Sequence, residues 1–257
     1  MEQKYLDDRI KALKGKIGFY YENLVTGETL CHNERESFEA ASVIKVPIFM
    51  YTAKLVSEGK LNWSQKVQIK DEDKKPSCGA LLSLTGDLEV DIDSLCKLMI
   101  TISDNTATNI LMRVCGIENI QNWLQKDMGF TSTQLQRELF ETNPDRINLS
   151  NYIGPKEIGL LLKLIYNREF ISEEISQKIE ETLLLQQIRH KIPGYIGRKK
   201  KIANKTGEDG NTTHDAAIVF AGEPFILVVC SNDTDVPETE RFIREIALEL
   251  YQENHGE

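Results

Sequence analysis

The amino-acid sequence predicts an α/β fold of the α+β type: a five-stranded antiparallel sheet, flanking N- and C-terminal helices, and an inserted all-helical domain. Two observations carry this prediction. Short β-rich runs cluster near the two ends of the chain, and apolar residues at helical spacing fill the middle. We therefore expect residues 1–45 and 201–257 to form one discontinuous sheet domain, and residues 46–200 to form a helical domain.

The strands are predicted from both ends of the chain. After a charged first helix, the segment KIGFYYENLVTGETLCHN has aromatic and β-branched residues on both sides of Thr26 and Gly27, which indicates a hairpin. Near the C-terminus, KIANKTG, THDAAIVFA and PFILVVCSND are separated by turn sequences and indicate a three-stranded meander. The tail places Phe242, Ile246 and Leu250 on one helical face, which should pack on the sheet.

The middle of the sequence is predicted to be helical. An apolar run from about 43 to 59 ends near Gly59, and a second segment places Leu95, Leu98, Met99 and Ile102 at helical spacing. Polar residues, glycines and prolines separate the remaining predicted helices, which lie at 106–115, 118–127, 155–167 and 173–185.

Composition excludes several classes of partner. With 40 acidic and 31 basic side chains in 257 residues, the net charge of −9 argues against a duplex nucleic-acid partner. The one basic cluster, GRKKK at 197–201, is expected to be a solvated loop. No window approaches a membrane span and no secretory signal is visible, so we expect a monomeric cytoplasmic protein, or an extracytoplasmic one if a leader was removed.

Cysteine and histidine usage predicts neither a disulfide framework nor a metal site. The 5 cysteines are odd in number and lack C-x-x-C spacing, which fits a reducing compartment. The 4 histidines are dispersed, and none has a neighbour at ligand spacing. We therefore predict no metal and no cofactor.

The first candidate chemistry lies in ASVIKVPIFMYTAKL, residues 41–55. Ser42 and Lys45 are three residues apart and share a helical face, and an apolar run follows the lysine. A desolvated lysine favours its neutral amine, which can accept a proton from the serine. The alternative is that Ser42 only caps the helix, as Ser94 three residues before Lys97 is expected to do.

Two triplets favour the catalytic interpretation. SDN, residues 103–105, follows an apolar helix, and KTG, residues 205–207, ends a predicted strand. S-x-x-K, S-D-N and K-T-G together are the motif set of class A β-lactamases and penicillin-binding proteins. The chain resembles this serine hydrolase family, nearest to class A, over nearly its whole length. The resemblance implies a β-lactamase-like fold whose active site lies in the cleft between the sheet and the helical domain.

The resemblance assigns the acyl-transfer chemistry to the first two motifs. Ser42 would be the nucleophile and Lys45 its base or proton relay. Ser103 would pass a proton to the leaving β-lactam nitrogen. Asn105 would hydrogen-bond the substrate's side-chain amide, while Asp104 would order the loop rather than react.

The third motif would hold the substrate. By the resemblance, Lys205 and Thr206 bind the substrate carboxylate within the triplet that Gly207 completes, and the backbone N–H groups of Ser42 and Glu208 form the oxyanion hole. Independently of the family, two lysines in one cleft would lower each other's proton affinity and attract an anion.

One departure from class A concerns deacylation. Class A enzymes use a loop glutamate, with an asparagine four residues later, to activate water. In TQLQRELFETNPDRINL, matching Arg137 to the family's loop arginine puts Leu139 at the glutamate's place. Glu138 and Glu141 flank that position, and we retain Glu138 as a candidate base that requires a shifted loop.

Other interpretations of the same loop remain. The asparagine partner would be Asn143 or Asn148, and the alternative for both glutamates is a solvated or ion-paired loop face, with Arg137 as one possible partner. Without the base, release of the acyl-enzyme would be slow.

The sequence thus predicts a serine hydrolase that opens β-lactam amides through an acyl-Ser42 intermediate. The first alternative is a penicillin-binding D-Ala-D-Ala peptidase or an esterase. The second is a non-catalytic binding module on the same fold, which an intact nucleophile and base argue against. A histidine-based triad is disfavoured because G-x-S-x-G is absent, and His214 and Asp215 are expected only to line the cleft.

Overall fold

The computed structural model describes residues 1–197 and 199–255. The strands are β1 (Lys16–Asn23), β2 (Thr29–His32), β3 (Phe38–Glu39), β4 (Lys66–Ile69), β5 (Leu88–Asp91), β6 (Tyr152–Ile153), β7 (Ile202–Asp209), β8 (Thr212–Val219) and β9 (Phe225–Asn232). The α-helices are α1 (Gln3–Lys11), α2 (Lys45–Ser57), α3 (Ile92–Thr101), α4 (Asn105–Cys115), α5 (Ile117–Asn122), α6 (Pro155–Tyr166), α7 (Glu173–Leu184), α8 (Ile192–Ile196) and α9 (Val236–Glu253). Short 3₁₀ turns include Ala41–Ile44, and a π-helical turn, Trp123–Asp127, follows α5.

The main sheet has the order β2-β1-β9-β8-β7, with every neighbouring pair antiparallel. This confirms the predicted five-stranded sheet, in which an N-terminal hairpin joins a C-terminal meander. Strand β1 pairs with β9 through partners such as Tyr20 and Val228. The last strand of the meander thus pairs with the first strand of the chain, so the two ends of the sequence form one sheet.

Alternation along the strands divides the sheet between two cores. Phe19 and Val229 face the core that the terminal helices α1 and α9 cover, together with α8. Tyr20, Val228 and Ile226 face a larger core shared with α6 and the central helices. Successive side chains of a strand point to opposite faces, so a sheet covered on both faces has strands that are buried throughout. All of β8 is buried in this way.

Helix starts follow local capping chemistry. The Asp91 carboxylate accepts from the Ser94 N–H at 2.8 Å and begins α3, and Ser172 Oγ accepts from the N–H of Ile175 at 3.2 Å at the start of α7. These bonds satisfy amide donors that have no partner within the helix. Ser94 is therefore not the N-cap that we expected; it lies within the first turn.

Some elements escaped the sequence analysis. Strands β3 and β6 have only two residues each, and α8 has five, which is too short for a periodic signal. Strands β4 and β5 form a hairpin within the segment predicted to be helical. Helix α6, inside the same segment, packs on the sheet through Ile158 and Leu161. The division of the chain at residues 46–200 stays a prediction.

The basic segment at 197–201 is only partly described, because Arg198 lies outside the described residues. Lys200 Nζ lies 5.6 Å from the centroid of the Tyr251 ring, and Lys201 Nζ lies 3.8 Å from that of Phe220. These two lysines thus cover aromatic rings of the fold. Within the described residues, no helix combines the length and apolarity needed to cross a membrane.

Gly159 provides a test of how α6 packs on the sheet. A Cβ at this position would lie 2.4 Å from Cδ1 of Tyr20. Gly159→Ala should gain about 1 kcal/mol from helix propensity, but overpacking costs about 1–3 kcal/mol, so we expect net destabilisation in urea unfolding. Leu160→Ala, on the exposed side of the same helix, is the control. A more stable Gly159→Ala protein would contradict this packing.

Candidate active site

The Ser42–Lys45 pair lies where a 3₁₀ turn enters α2. Ala41 opens the turn with a left-handed φ of 41°, and Ser42 is partly exposed. Residues three apart align in a 3₁₀ turn because it has three residues per turn. Lys45 Nζ accordingly lies 2.9 Å from Ser42 Oγ, and the lysine is completely buried.

Buried Lys45 is surrounded by oxygen atoms. Its Nζ lies 2.8 Å from the Ser103 carbonyl oxygen, 2.8 Å from Asn105 Oδ1 and 2.9 Å from Ser103 Oγ, besides its contact with Ser42. Burial lowers the pKa of Lys45 well below its usual value, and the positive charge of Lys205 lowers that pKa further.

A neutral Lys45 amine fits these contacts. It has two N–H donors and one lone pair. The Ser103 carbonyl and Asn105 Oδ1 have no hydrogen to give, so they take the two donors. The lone pair then remains for a hydroxyl proton from Ser42 or Ser103. This arrangement suits a base that accepts a proton from either serine.

Ser103 links the two lysines. Its Oγ lies 2.9 Å from Lys45 Nζ and 3.1 Å from Lys205 Nζ. Its backbone has a left-handed φ of 59°, an uncommon conformation for a residue other than glycine. The SDN and KTG motifs therefore meet at one hydroxyl, which provides a path for a proton between the two amines.

Asp104 stabilises the loop around the cleft. One carboxylate oxygen accepts from the N–H groups of Ala80 and Leu81, at 2.7 and 2.9 Å, and the other accepts from the Ala107 N–H at 2.9 Å. It is completely buried and also caps α4. Gly79 packs so closely that a Cβ there would lie 2.2 Å from Cγ of Asp104. These bonds give Asp104 a structural role.

Strand β7 brings the KTG triplet beside the nucleophile. Lys205 is completely buried, donates to the Thr206 carbonyl oxygen at 2.7 Å, and has a pKa that burial lowers to about 7. A Cβ on Gly207 would lie 3.2 Å from both Ser42 N and Ala41 Cβ. The glycine thus allows close approach of β7 to the Ser42 turn.

An open cleft of about 230 Å³ lies above these residues. Ser42, Asn105 and Glu208 line it, whereas Lys205 and Thr206 are almost wholly buried next to it. We define the loop wall as Arg137, Leu139 and Phe140, and the strand wall as Glu208 and Asp209; the remaining lining residues are Ala41, Ser77 and Cys78.

The Asn105 side chain is already occupied on both ends of its amide. Its oxygen accepts from Lys45 at 2.8 Å, and its NH₂ group donates to the Pro76 carbonyl at 2.9 Å and to Ser77 Oγ at 3.3 Å. A substrate amide that hydrogen-bonds Asn105 would have to share or replace these partners.

The loop presents Leu139 to the cleft and not Glu138. The Asn109 side chain forms two hydrogen bonds with the Leu139 backbone: its Oδ1 accepts from the Leu139 N–H at 2.9 Å, and its Nδ2 donates to the Leu139 carbonyl oxygen at 2.8 Å. Glu138 turns away to Arg113, with Oε1 3.3 Å from Nε. Burial raises the pKa of Glu138, partly opposed by the charge of Arg113.

Glu141 and its expected partners also lie apart from the Ser42 cluster. The Glu141 carboxylate accepts from the N–H groups of Thr142 and Asn143, both at 2.9 Å, and these bonds lower its pKa. Asn143 and Asn148 are exposed. The structure thus joins Ser42, Lys45, Ser103, Asn105 and Lys205, and it does not bring the loop glutamates to them.

His214 has both ring nitrogens engaged. Nδ1 accepts from the Ser231 N–H at 3.0 Å, so Nε2 carries the proton and donates to the Glu39 carbonyl oxygen at 2.7 Å. Burial lowers the pKa of His214 to about 4. Asp215 accepts from Asn204 Nδ2 at 3.0 Å, and burial raises its pKa. Neither residue lines the cleft as we expected; both are completely buried in β8.

A buried lysine beside β7 was missed by the sequence analysis. Lys191 Nζ donates to the carbonyl oxygens of Gly207 and His214, both at 3.1 Å, and lies 3.0 Å from Glu208 Oε1. A hydrogen bond from His190, the Lys191 charge and a bond from Lys191 lower the Glu208 pKa to about 2, against desolvation. Only burial in the folded chain distinguishes Lys191 from surface lysines, so no sequence signal was available.

The residues around Lys191 include one group that could hold a metal ion, although the sequence analysis predicted no metal site. Ligand atoms of His190, Glu208 and Glu240 lie within 4.8 Å of one another, although the sequence separates them widely. The Lys191 ammonium lies 3.0 Å from Glu208 and 3.8 Å from Glu240. A cation of the protein itself therefore already balances these carboxylates.

Similarity to known proteins covers nearly the whole chain. Residues 2–254 match the model of the Beta-lactamase enzyme family. The chain belongs to this family. The β-lactamase VEB-1 of Pseudomonas aeruginosa is 22% identical over 261 residues, covering 94% of this chain and 86% of that protein. CARB-3 of the same species is 25% identical over 239 residues, covering 90% and 81%.

Solved structures of the β-lactamase fold superpose closely. A β-lactamase from Sphaerobacter thermophilus DSM 20745 has a TM-score of 0.89 and 24% identity, with 99% of this chain and 98% of that chain covered. PBP-A has a TM-score of 0.88 and 24% identity, with 97% and 94% covered. These matches confirm the β-lactamase-like fold expected from the three motifs.

The buried His214 predicts a pH dependence of stability in this β-lactamase-family protein. Its folded pKa of about 4 lies below its ordinary 6.5, so the unfolded chain binds more protons between these values. Folding stability should therefore fall by about 3 kcal/mol as the pH drops through this window. Urea unfolding of wild type and His214→Gln would check this, because the variant should have a shallower pH slope. Equal slopes would contradict it.

Proposed function

We propose that this chain is a serine hydrolase of the class A β-lactamase type, which opens β-lactam amides through a covalent acyl-Ser42 intermediate and releases the acyl group slowly. The observation that carries the proposal is the completely buried Lys45, whose Nζ lies 2.9 Å from both Ser42 Oγ and Ser103 Oγ. A buried amine with a lowered pKa is the base that a serine nucleophile needs.

Acylation begins with proton transfer to Lys45. Ser42 Oγ attacks the lactam carbonyl carbon and forms the new C–O bond while its proton passes to the lysine lone pair. The carbonyl π electrons move onto oxygen, where the N–H groups of Ser42 and Glu208 stabilise the negative charge. Gly207 supports this role for the strand, because it lets β7 lie against the Ser42 amide.

Collapse of the tetrahedral intermediate breaks the C–N bond. The Ser103 hydroxyl gives its proton to the departing nitrogen and regains one from Lys45, which returns to the neutral amine. This relay uses the short contacts of Ser103 Oγ to the two lysines. Lys205, with Thr206, attracts the substrate carboxylate from its position beneath the cleft. The net result is an ester on Ser42 and an opened ring.

Hydrolysis of this ester needs a water that a base activates. Leu139 occupies the loop wall, and the Glu138 carboxylate is paired with Arg113 outside it. A positioned general base contributes about 10²–10⁴-fold to a rate, so its absence from the cleft would make deacylation the slow step. The candidate Glu138 base of the sequence analysis would require the loop to rearrange.

A second candidate function is a penicillin-binding D-Ala-D-Ala peptidase or an esterase with the same nucleophile. The apolar Leu139 in the loop wall favours it. An opened β-lactam keeps its leaving nitrogen attached to the acyl group, whereas the leaving group of a peptide or ester departs and lets water reach the Ser42 ester, so such a substrate depends less on a positioned base. A solved leucine-to-glutamate variant of PBP-A, an acyl-enzyme complex with penicillin G, has a TM-score of 0.87 and 24% identity to this chain. Rapid cleavage of acyl-D-Ala-D-Ala peptides or simple esters, without reaction with β-lactams, would select this candidate.

Covalent labelling tests the nucleophile. Mass spectrometry after incubation with benzylpenicillin should show one added penicillin mass on wild type and on Ser57→Ala, and none on Ser42→Ala. Ser57 is the matched control because it also lies three residues before a lysine but is exposed at the end of α2. Absence of any adduct on wild type, with this and other acylating probes, would favour the non-catalytic binding module.

Position 139 tests the slow step. Leu139→Glu should place a carboxylate at the loop wall and accelerate deacylation by about 10²-fold or more, whereas Leu139→Gln should not. Nitrocefin turnover, with the burst and the steady state measured separately, reports this rate.

Glu138→Gln is the control for the loop. It should leave wild-type deacylation unchanged, because Glu138 faces Arg113. A loss of steady-state turnover in Glu138→Gln would show instead that the loop rearranges and that Glu138 supplies the base. Rapid sustained turnover by wild type that survives this substitution would contradict the slow-release proposal.

A further inference from the structure

One cation in the cleft has no role in the steps described above. Arg137 belongs to the loop wall, beside Leu139 and Phe140. Its backbone is fixed by Asn151: Oδ1 accepts from the Arg137 N–H at 3.1 Å, and Nδ2 donates to the Arg137 carbonyl at 3.0 Å. The loop is therefore held at this residue through backbone bonds that do not use the guanidinium group.

The Arg137 side chain is incompletely satisfied. Nη1 donates to the Glu138 carbonyl oxygen at 3.1 Å, while Nε is buried and has no hydrogen-bond partner within residues 1–197 and 199–255. A buried donor without a partner is costly, and guanidinium groups are among the strongest donors in proteins. Nη2 makes no hydrogen bond to the described part of the chain either, and it is not buried, so this end of the guanidinium group can donate to an acceptor on a ligand in the cleft.

Nearby carboxylates do not pair with Arg137. Glu138 pairs with Arg113, and Glu141 accepts from amides of its own loop. Arginines in the described part of the chain that do form ion pairs are Arg9, Arg35, Arg113, Arg146, Arg168, Arg241 and Arg244. Within residues 1–197 and 199–255, Arg137 thus has no counter-charge at the wall of the cleft.

We propose that Arg137 is a specificity-determining residue that binds a carboxylate on the acyl side chain of the substrate. This inference rests on the proposed acylation of Ser42. The planar guanidinium group matches a carboxylate in geometry as well as charge. The carboxylate on the ring side of the substrate goes to Lys205 and Thr206, so the preferred substrate class carries two negative charges.

The polar groups of the cleft are compatible with an anion at the loop wall. Asn105, expected to bind the acyl amide, has both ends of its own amide engaged by the protein. Glu208 on the strand wall is balanced by Lys191 at 3.0 Å and by His190 at 3.4 Å. The loop wall therefore provides an uncommitted positive charge, and Glu208 adds little net repulsion.

The test compares two penicillins that differ in one carboxylate. Carbenicillin is benzylpenicillin with a carboxylate on the acyl side chain, and the second-order rate constants for acylation of Ser42 by each are measured by mass spectrometry. The ratio of carbenicillin to benzylpenicillin rate constants should fall about tenfold in Arg137→Gln, as expected for loss of a charged hydrogen bond. Arg137→Lys should retain part of the ratio because it keeps the charge.

Arg146→Gln is the matched control. Arg146 belongs to the same loop segment but pairs with Glu118 at 3.2 Å, outside the cleft lining, so its substitution should leave the ratio unchanged. The wild-type ratio should also decrease as ionic strength rises, a measurement that does not depend on the folding of any variant.

The outcomes separate the two proposals. Acylation by both penicillins with an unchanged ratio in Arg137→Gln and no salt dependence would overturn the role of Arg137 alone. A wild-type protein that neither penicillin acylates would overturn the proposed function and this inference with it. A ratio that falls equally in Arg146→Gln would show a general effect of loop charge and would also overturn the specific role of Arg137.

Discussion

The structure depends on keeping the Lys45 amine dry. An ammonium group enclosed by protein loses most of its hydration, so burial favours the neutral form. Four oxygen atoms from Ser42, Ser103 and Asn105 surround Nζ at 2.8–2.9 Å. Ser42 lies one turn before the lysine, whereas Ser103 and Asn105 come from the junction between α3 and α4, so two segments distant in sequence have to meet around this nitrogen. The fold thus determines the protonation state of one nitrogen.

Two residues around the Lys45 amine have strained backbone conformations. Ala41 and Ser103 both adopt left-handed φ values, of 41° and 59°, next to the nucleophile and at the bridging hydroxyl. Asp104 offsets the second of these by accepting three amide bonds and fixing the start of α4. Strain at a site persists only where the surrounding structure over-determines it. The completely buried Asp104 provides that support.

Features that depend on residues close together in the sequence could be predicted from it. Hairpin and meander signals are local, so the five strands were predictable, and so was the approach of Ser42 to Lys45, since three residues set it. The order of the elements predicted that the two ends of the chain share one sheet, but the pairing of β1 with β9 and its register join distant segments and needed the structure. Lys191 and Arg137 could not be assigned, because their roles depend on which neighbours the fold supplies or withholds. The orientation of Glu138 toward Arg113 depends in the same way on a contact distant in sequence.

The Asn109 side chain holds the loop at Leu139 by two hydrogen bonds, and this affects which substitutions the site can accept. Both bonds go to the main chain, one to the N–H and one to the carbonyl oxygen. The leucine side chain contributes nothing to them, although it packs partly buried against the larger core, so any residue with a backbone N–H can keep both bonds. Substitution at position 139 therefore changes what the cleft presents to a bound acyl group and leaves in place the two hydrogen bonds that fix the loop. One side chain can then change the lifetime of the covalent state, at a cost in stability set by the contacts of the leucine with the core.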